Sequence, residues 1–133
     1  IIAMGLETLV FFTGWLEDVS SFFKNIDVFV LASRHEEGYG LVVAEAMAHE
    51  LPVVITASGG AVEIVDDQVC GYIVPKEDPD AMADKLLSLS VNPENCKAFG
   101  EKGRIKIERD FNIKEQTALF VDYLLSLKKV NVR

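Results

Sequence analysis

Short apolar runs alternate with amphipathic stretches over the first eighty or so residues, and the remainder reads as helix. Thr8–Thr13 (TLVFFT) is an unbroken run of β-branched and aromatic residues closed by Gly14, the pattern of a buried strand. A short helix is predicted over Val19–Asn25, and a second strand over Asp27–Ala32. Leu41–His49 has helical spacing. Pro52–Thr56 reads as a third strand, with its proline at the first position, where a missing N–H costs least. Gly59-Gly60 opens a short helix over Ala61–Val65, and Gly71–Pro75 (GYIVP) is a last strand. Helices follow over Asp80–Leu89, Pro93–Asp110 and Lys114–Lys128. Pro79 and Pro93 stand at helix starts, behind the N-caps Asp78 and Asn92. In the last helix Ala118, Val121 and Leu125 share one face and Leu119, Tyr123 and Leu127 the adjoining one, so the helix is predicted to pack on a partner surface. Strands alternating with helices predict an α/β fold, a Rossmann-like parallel sheet with flanking helices and a helical C-terminal third.

The 133 residues are half hydrophobic and 26% charged, enough for one domain with a core of its own and unlike a disordered tail. A net charge of −8 opposes attraction to nucleic acid or to an anionic lipid surface. No apolar run approaches the ~20 residues of a membrane-spanning helix. The opening IIAMGL has neither a basic leader nor a cleavage site, so it reads as an internal start and not as a targeting signal. Cys70 and Cys96 lack ligand spacing and read as free thiols in a reducing compartment. His35 and His49 fall on different elements, so neither a metal site nor a cofactor is predicted.

The chemistry concentrates in Ser33–Ala48 (SRHEEGYGLVVAEAMA), which joins the end of a strand to the start of a helix through Gly38 and Gly40. Open α/β sheets bind ligands in this crevice. Free N–H groups of Gly40, Leu41 and Val42 at the positive end of the helix dipole suit a phosphate. The helix around Glu45 is apolar on every side, which predicts a buried carboxylate needing donors from the fold or from a ligand's hydroxyls. Glu37 lies eight residues earlier. A rise of ~1.5 Å per residue puts the two carboxylates on the order of 10 Å apart. That is the reach of a sugar nucleotide, and wider than the ~5–9.5 Å of a glycosidase pair.

The run E-G-Y-G-L-V-V-A-E-A-M-A, followed by L-P-V-V and S-G-G-A-V-E-I-V, resembles the donor-binding domain of GT-B glycosyltransferases of retaining family 4, the glycosyl transferases group 1. Two glutamates with seven residues between them are the family hallmark. F-T-G-W, D-V-F-V-L-A-S and G-Y-I-V-P follow its order from about Thr8 to Phe111. The resemblance implies that Glu37 is the catalytic glutamate contacting the donor sugar, and that Glu45 accepts hydrogen bonds from the ribose. It implies that the amides of Gly40, Leu41 and Val42 hold the diphosphate, with Ser33, Gly38 and Tyr39 in the same loop, and that Gly14, Trp15 and Leu16 lie near the base. Gly59 and Gly60 would shape the neighbouring loop. It also implies a nucleotide-sugar donor, a glycan or lipid-linked acceptor, polysaccharide assembly, no essential metal and a cytoplasmic site, with any membrane contact peripheral.

Against the family pattern, residues 1–133 are expected to be a single incomplete nucleotide-sugar-binding domain. It would lack the acceptor domain, the first two strands and the basic groups that neutralise the diphosphate, so the fragment is expected to be inactive. In the usual strand order, 3-2-1-4-5-6, Thr8–Thr13 and Asp27–Ala32 would be separated by the missing pair. They are expected to pair directly, borrow strands or leave open edges for self-association. Glu50 replaces a usual glycine, which predicts a slightly altered turn. Arg34 is expected to be paired or solvated, Trp15 to be core or pocket wall, and Glu63 to cap its helix. Lys97, Lys102, Arg104, Lys106 and Arg109, alternating with Glu101 and Glu108, are expected on a solvated face. A non-catalytic Rossmann-like module, its glutamates satisfied internally, is the alternative reading.

Overall fold

The computed structural model describes residues 1–130, the side chains of 128–130 excepted. Its centre is a parallel sheet of β1 (Phe29–Leu31), β2 (Val53–Thr56) and β3 (Gly71–Val74), ordered β1-β2-β3. Phe29 pairs with Val53 and Leu31 with Ile55, while Val53 pairs with Gly71 and Thr56 with Val74. The crossovers are α2 (Leu41–Ala48) and α3 (Ala61–Ile64); α1 (Val19–Phe23) precedes the sheet, and α4 (Pro79–Ser90), α5 (Pro93–Asp110) and α6 (Ile113–Val130) follow it.

The strands are apolar on both faces because both faces are covered. Alternation along β2 sends Val53 and Ile55 into a cluster with Val43, Ala46 and Met47 of α2, Ala61 and Ile64 of α3, and Leu51. Val54 enters the opposite cluster, with Tyr72, Val74, Leu89 and Phe99 under α4 and the start of α5. Asp78 and Asn92 cap α4 and α5, accepting hydrogen bonds from the N–H groups of Ala81 and Asn95, and Pro79 and Pro93 occupy the first turns.

Helix α5 reaches α2 through glycines. A Cβ on Gly100 would lie 1.9 Å from the Glu50 carbonyl oxygen, and one on Gly103 would touch Met47. Glu50 keeps the left-handed conformation at φ 60°, so the turn is not altered as expected. It follows α2's last turn with its N–H on the Met47 carbonyl, and its own carbonyl is seated on Gly100.

Several expectations fail. Thr8–Thr13 is not a strand: its hydrogen bonds are local, the N–H groups of Leu9 and Val10 reaching the Leu6 carbonyl, and Phe12 is 86% exposed. A strand needs a neighbour for its backbone groups, and the sheet offers this run none. It therefore does not pair with β1, whose outer edge has no strand beside it among the described residues. Helix α6 forms but does not pack along its length, leaving Leu119, Phe120, Tyr123 and Leu125 exposed. Trp15 is neither core nor pocket wall, at 91% exposed. Helix α3 has no side-chain cap, so Glu63 does not serve as one. Within the basic cluster Lys106 departs from the solvated face, its side chain only 12% exposed and ion-paired with Asp66. Lys97–Glu101 and Arg104–Glu108 do lie on the surface.

Candidate functional site

The loop after β1 is built against the loop after β2. Thr56 donates its hydroxyl to the Ser33 carbonyl at 2.8 Å, and Ser58, fully buried, donates to the His35 carbonyl at 2.5 Å. The Glu37 N–H donates to Ser58 Oγ at 3.1 Å, and the Glu37 carbonyl accepts from the Gly60 N–H at 3.1 Å. A Cβ on Gly59 would fall 1.9 Å from the Glu37 carbonyl oxygen, so only glycine permits this approach. The two loops form one interlocked unit.

Glu37 is half-buried, and its Oε1 accepts from the Ser33 hydroxyl. Gly40 is the N-cap of α2 at φ 78°, pressed so closely on Ala61 that a Cβ would lie 2.9 Å from the Ala61 Cβ. No side chain caps α2, so its first turn, with the amides of Leu41 and Val42, presents donors at the positive helix end.

Glu45 is exposed and not buried as expected. Only Val43, Ala46 and Met47 of α2 are buried, because the sheet, α3 and α5 cover that side and leave the Leu41–Glu45 stripe open. This stripe lines a cleft of about 510 Å³ with Tyr39, Ala44, Ile107, Phe111 and Gln116. The Tyr39 ring stands edge-on to Phe111 at 6.3 Å between centroids. Asp110, on the rim, is held below the usual carboxylate range by the Arg109 guanidinium beside it.

Ser33 lines a different cleft, of about 490 Å³, with Thr56, Glu77 and the first turns of α4. Arg34, at its mouth, is paired with Glu77 at 2.8 Å. Gly14, Trp15 and Leu16 line neither cleft, and Gly38 is exposed beside Gly60. The structure thus brings Glu37, Ser33 and the α2 N-terminus into one loop, and it leaves the 14–16 turn apart. The sequence pattern does not single out Ser58, Glu36 or Lys76. Ser58 stands before a Gly-Gly pair, but nothing in its spacing signals a bond to a residue 21 positions earlier.

The sequence model of the glycosyl transferases group 1 matches residues 1–106. The chain belongs to this family.

CapM of Staphylococcus aureus, a capsular polysaccharide biosynthesis glycosyltransferase, is 39% identical over 98 residues, 73% of this chain and 25% of CapM. The C-terminal domain of the group 1 protein LpcC from Francisella tularensis superposes with a TM-score of 0.77 at 30% identity, over 84% of this chain and 58% of that one. Anabaena HepE, solved in complex with UDP, superposes with a TM-score of 0.84 at 25% identity, over 92% of this chain and 34% of that one. This chain therefore has the α/β architecture of GT-B C-terminal domains, with three parallel strands and a helical last third. It spans about a quarter of the length of curated relatives such as CapM. No described helix is long and apolar enough to cross a membrane.

Proposed function

We propose that the chain is the donor-binding part of a retaining glycosyltransferase that moves a sugar from a nucleotide sugar to a glycan or lipid-linked acceptor. The observation that carries this reading is the uncapped α2 N-terminus, presented by Gly40 between the Glu37 loop and the open Glu45 stripe. In this reading the amides of Gly40, Leu41 and Val42 hold the diphosphate, Glu45 accepts from the ribose hydroxyls, and Glu37 faces the donor sugar. Ser33, whose hydroxyl donates to Glu37, orients that carboxylate, and Gly38 and Tyr39 complete the loop. Gly14, Trp15 and Leu16 reach the base only once the segment before β1 is docked.

The UDP complex of HepE, a protein with this fold, supports a nucleoside diphosphate as the ligand. Positive groups outside the chain would stabilise the departing diphosphate without a metal, since Arg34 is already engaged by Glu77. Residues 1–133 would then be an incomplete domain of a cytoplasmic enzyme, inactive alone because the acceptor is not positioned. In the alternative, a non-catalytic module, Glu45 would be solvated on the surface and not satisfied internally.

Calorimetric titration of UDP, GDP and ADP into the full-length protein, beside Glu45→Ala, tests the reading. Tight binding of one nucleotide, weakened by roughly 1–3 kcal/mol in the variant, is expected for hydrogen bonds to a charged group. No binding, or binding indifferent to Glu45, would return the site to the structural alternative.

A further inference from the structure

Three loops leave the C-terminal ends of the three strands: 32–40, 57–60 and 75–78. One side chain ties them together. Glu36 Oε2 accepts from the Gly59 N–H at 2.7 Å, and its Oε1 is ion-paired with the Lys76 ammonium. Lys76 lies on the third loop and is only 26% exposed, so its reach to Glu36 is guided by packing. The Arg34–Glu77 pair is a second tie between the first and third loops.

Glu36 immediately precedes Glu37. The peptide groups on both sides of the Glu37 Cα are held by the 58–60 turn, through Ser58 Oγ and the Gly60 N–H, and the turn touches the Glu37 carbonyl with no space for a side chain on Gly59. A shift of the 58–60 turn therefore pulls on both hydrogen bonds that hold the Glu37 backbone. As a surface ion pair Glu36–Lys76 adds little stability, with Glu36 74% exposed. What it restricts is the position of Gly59. The Lys76 ammonium, and then the Gly59 N–H, hold the Glu36 carboxyl below the usual carboxylate range, so the tie is charged at neutral pH.

We infer that Glu36 is a positioning residue for the transfer proposed above: by bridging Gly59 and Lys76 it fixes the loop that aims the Glu37 carboxylate at the donor sugar. The inference rests on the donor-binding reading. It differs from that reading in its prediction, because Glu36 acts on the reacting end of the donor and leaves the nucleotide contacts at α2 alone.

The test uses the full-length protein and release of nucleoside diphosphate from UDP-glucose, GDP-mannose or ADP-glucose, whichever the wild type turns over fastest. Misplacing a reacting group by ~1 Å costs up to about 100-fold in rate. Glu36→Ala is expected to lower kcat by about tenfold or more, with KM for the donor and Kd for the free nucleotide within about twofold. Glu36→Gln, which keeps an acceptor for the Gly59 N–H, recovers part of that loss. Lys76→Ala releases the tie from its other end and shows the same split between kcat and affinity. Lys97→Ala, which breaks an exposed pair on α5, changes neither. A kcat within about twofold of wild type in Glu36→Ala overturns the inference, as does a nucleotide Kd weakened as much as kcat. Turnover of none of the three donors, or an unchanged kcat in Glu37→Gln, overturns the donor reading itself.

Discussion

The centre of the chain and its two ends have similar apolar content and opposite fates. In the centre, Val53, Val54 and Ile55 of β2 are fully buried, as are Val43, Ala46 and Met47 of α2. At the ends, Leu9, Phe11 and Phe12 before α1 and Leu119, Phe120 and Leu125 in α6 stand in solvent. Local pattern is equally persuasive in both regions. The difference is whether a second surface exists to receive the apolar face, because burial of that face supplies most of the stability of a helix or strand. An exposed apolar area of this size is a candidate contact surface.

Association measurements test the bare faces most directly. The 133-residue chain is expected to self-associate at micromolar concentration through β1's open edge and the bare faces of the ends, and Phe120→Glu with Leu124→Glu in α6 should weaken that association. Sedimentation showing a monodisperse monomer at every concentration would mean that the exposed faces are satisfied some other way.

Stability should differ as strongly between a buried and an exposed apolar side chain. Met47→Ala removes a fully buried side chain between α2 and α5 and is expected to cost about 2–5 kcal/mol. Phe12→Ala and Phe120→Ala remove larger side chains from exposed positions and should stay within about 0.5 kcal/mol. Denaturant unfolding of the three variants under conditions that keep the chain monomeric decides it, and a large loss at Phe12 would show that the N-terminal segment is docked.

The smallest expected effect is that of pH. Glu36, Asp18 and Asp110 are held below the usual carboxylate range by Lys76 and the Gly59 N–H, by Ser21, and by Arg109 respectively. A lowered folded-state pKa gives stability that is fully present above the unfolded value, near pH 4, and is lost as pH falls through the folded value. The denaturation midpoint should therefore be flat from pH 7 to 5 and fall below pH 4, and Glu36→Gln should shallow that fall. A midpoint independent of pH down to 3 would show that these ties contribute nothing to folding.

Much of the centre was legible in the sequence because its signals are local. The caps at Asp78 and Asn92, the prolines behind them and the Gly40 turn each act over a few residues, and all appear where the pattern put them. So did the three strands from Phe29 onward and the order of segments that carries the family resemblance. Glu45 is exposed against its local pattern for a tertiary reason. A helix apolar all round is buried only where neighbours cover it, and here Leu41 and Glu45 face an open cleft. Thr8–Thr13 failed likewise, since a strand's hydrogen bonds lie on another segment.

By itself, then, the sequence determined the elements whose stabilising contacts span a few residues, the alternation that makes a parallel sheet, and the glutamate and glycine spacing of the Ser33–Ala48 segment. Tertiary structure alone decided that Ser58 and Gly60 clamp Glu37, that Glu36 joins three loops through Gly59 and Lys76, and that Lys106 turns inward to Asp66. Each of those contacts joins residues more than twenty positions apart. Their partners are chosen by how the strands stack and by where glycine lets two backbones meet, and neither leaves a periodic mark in the chain.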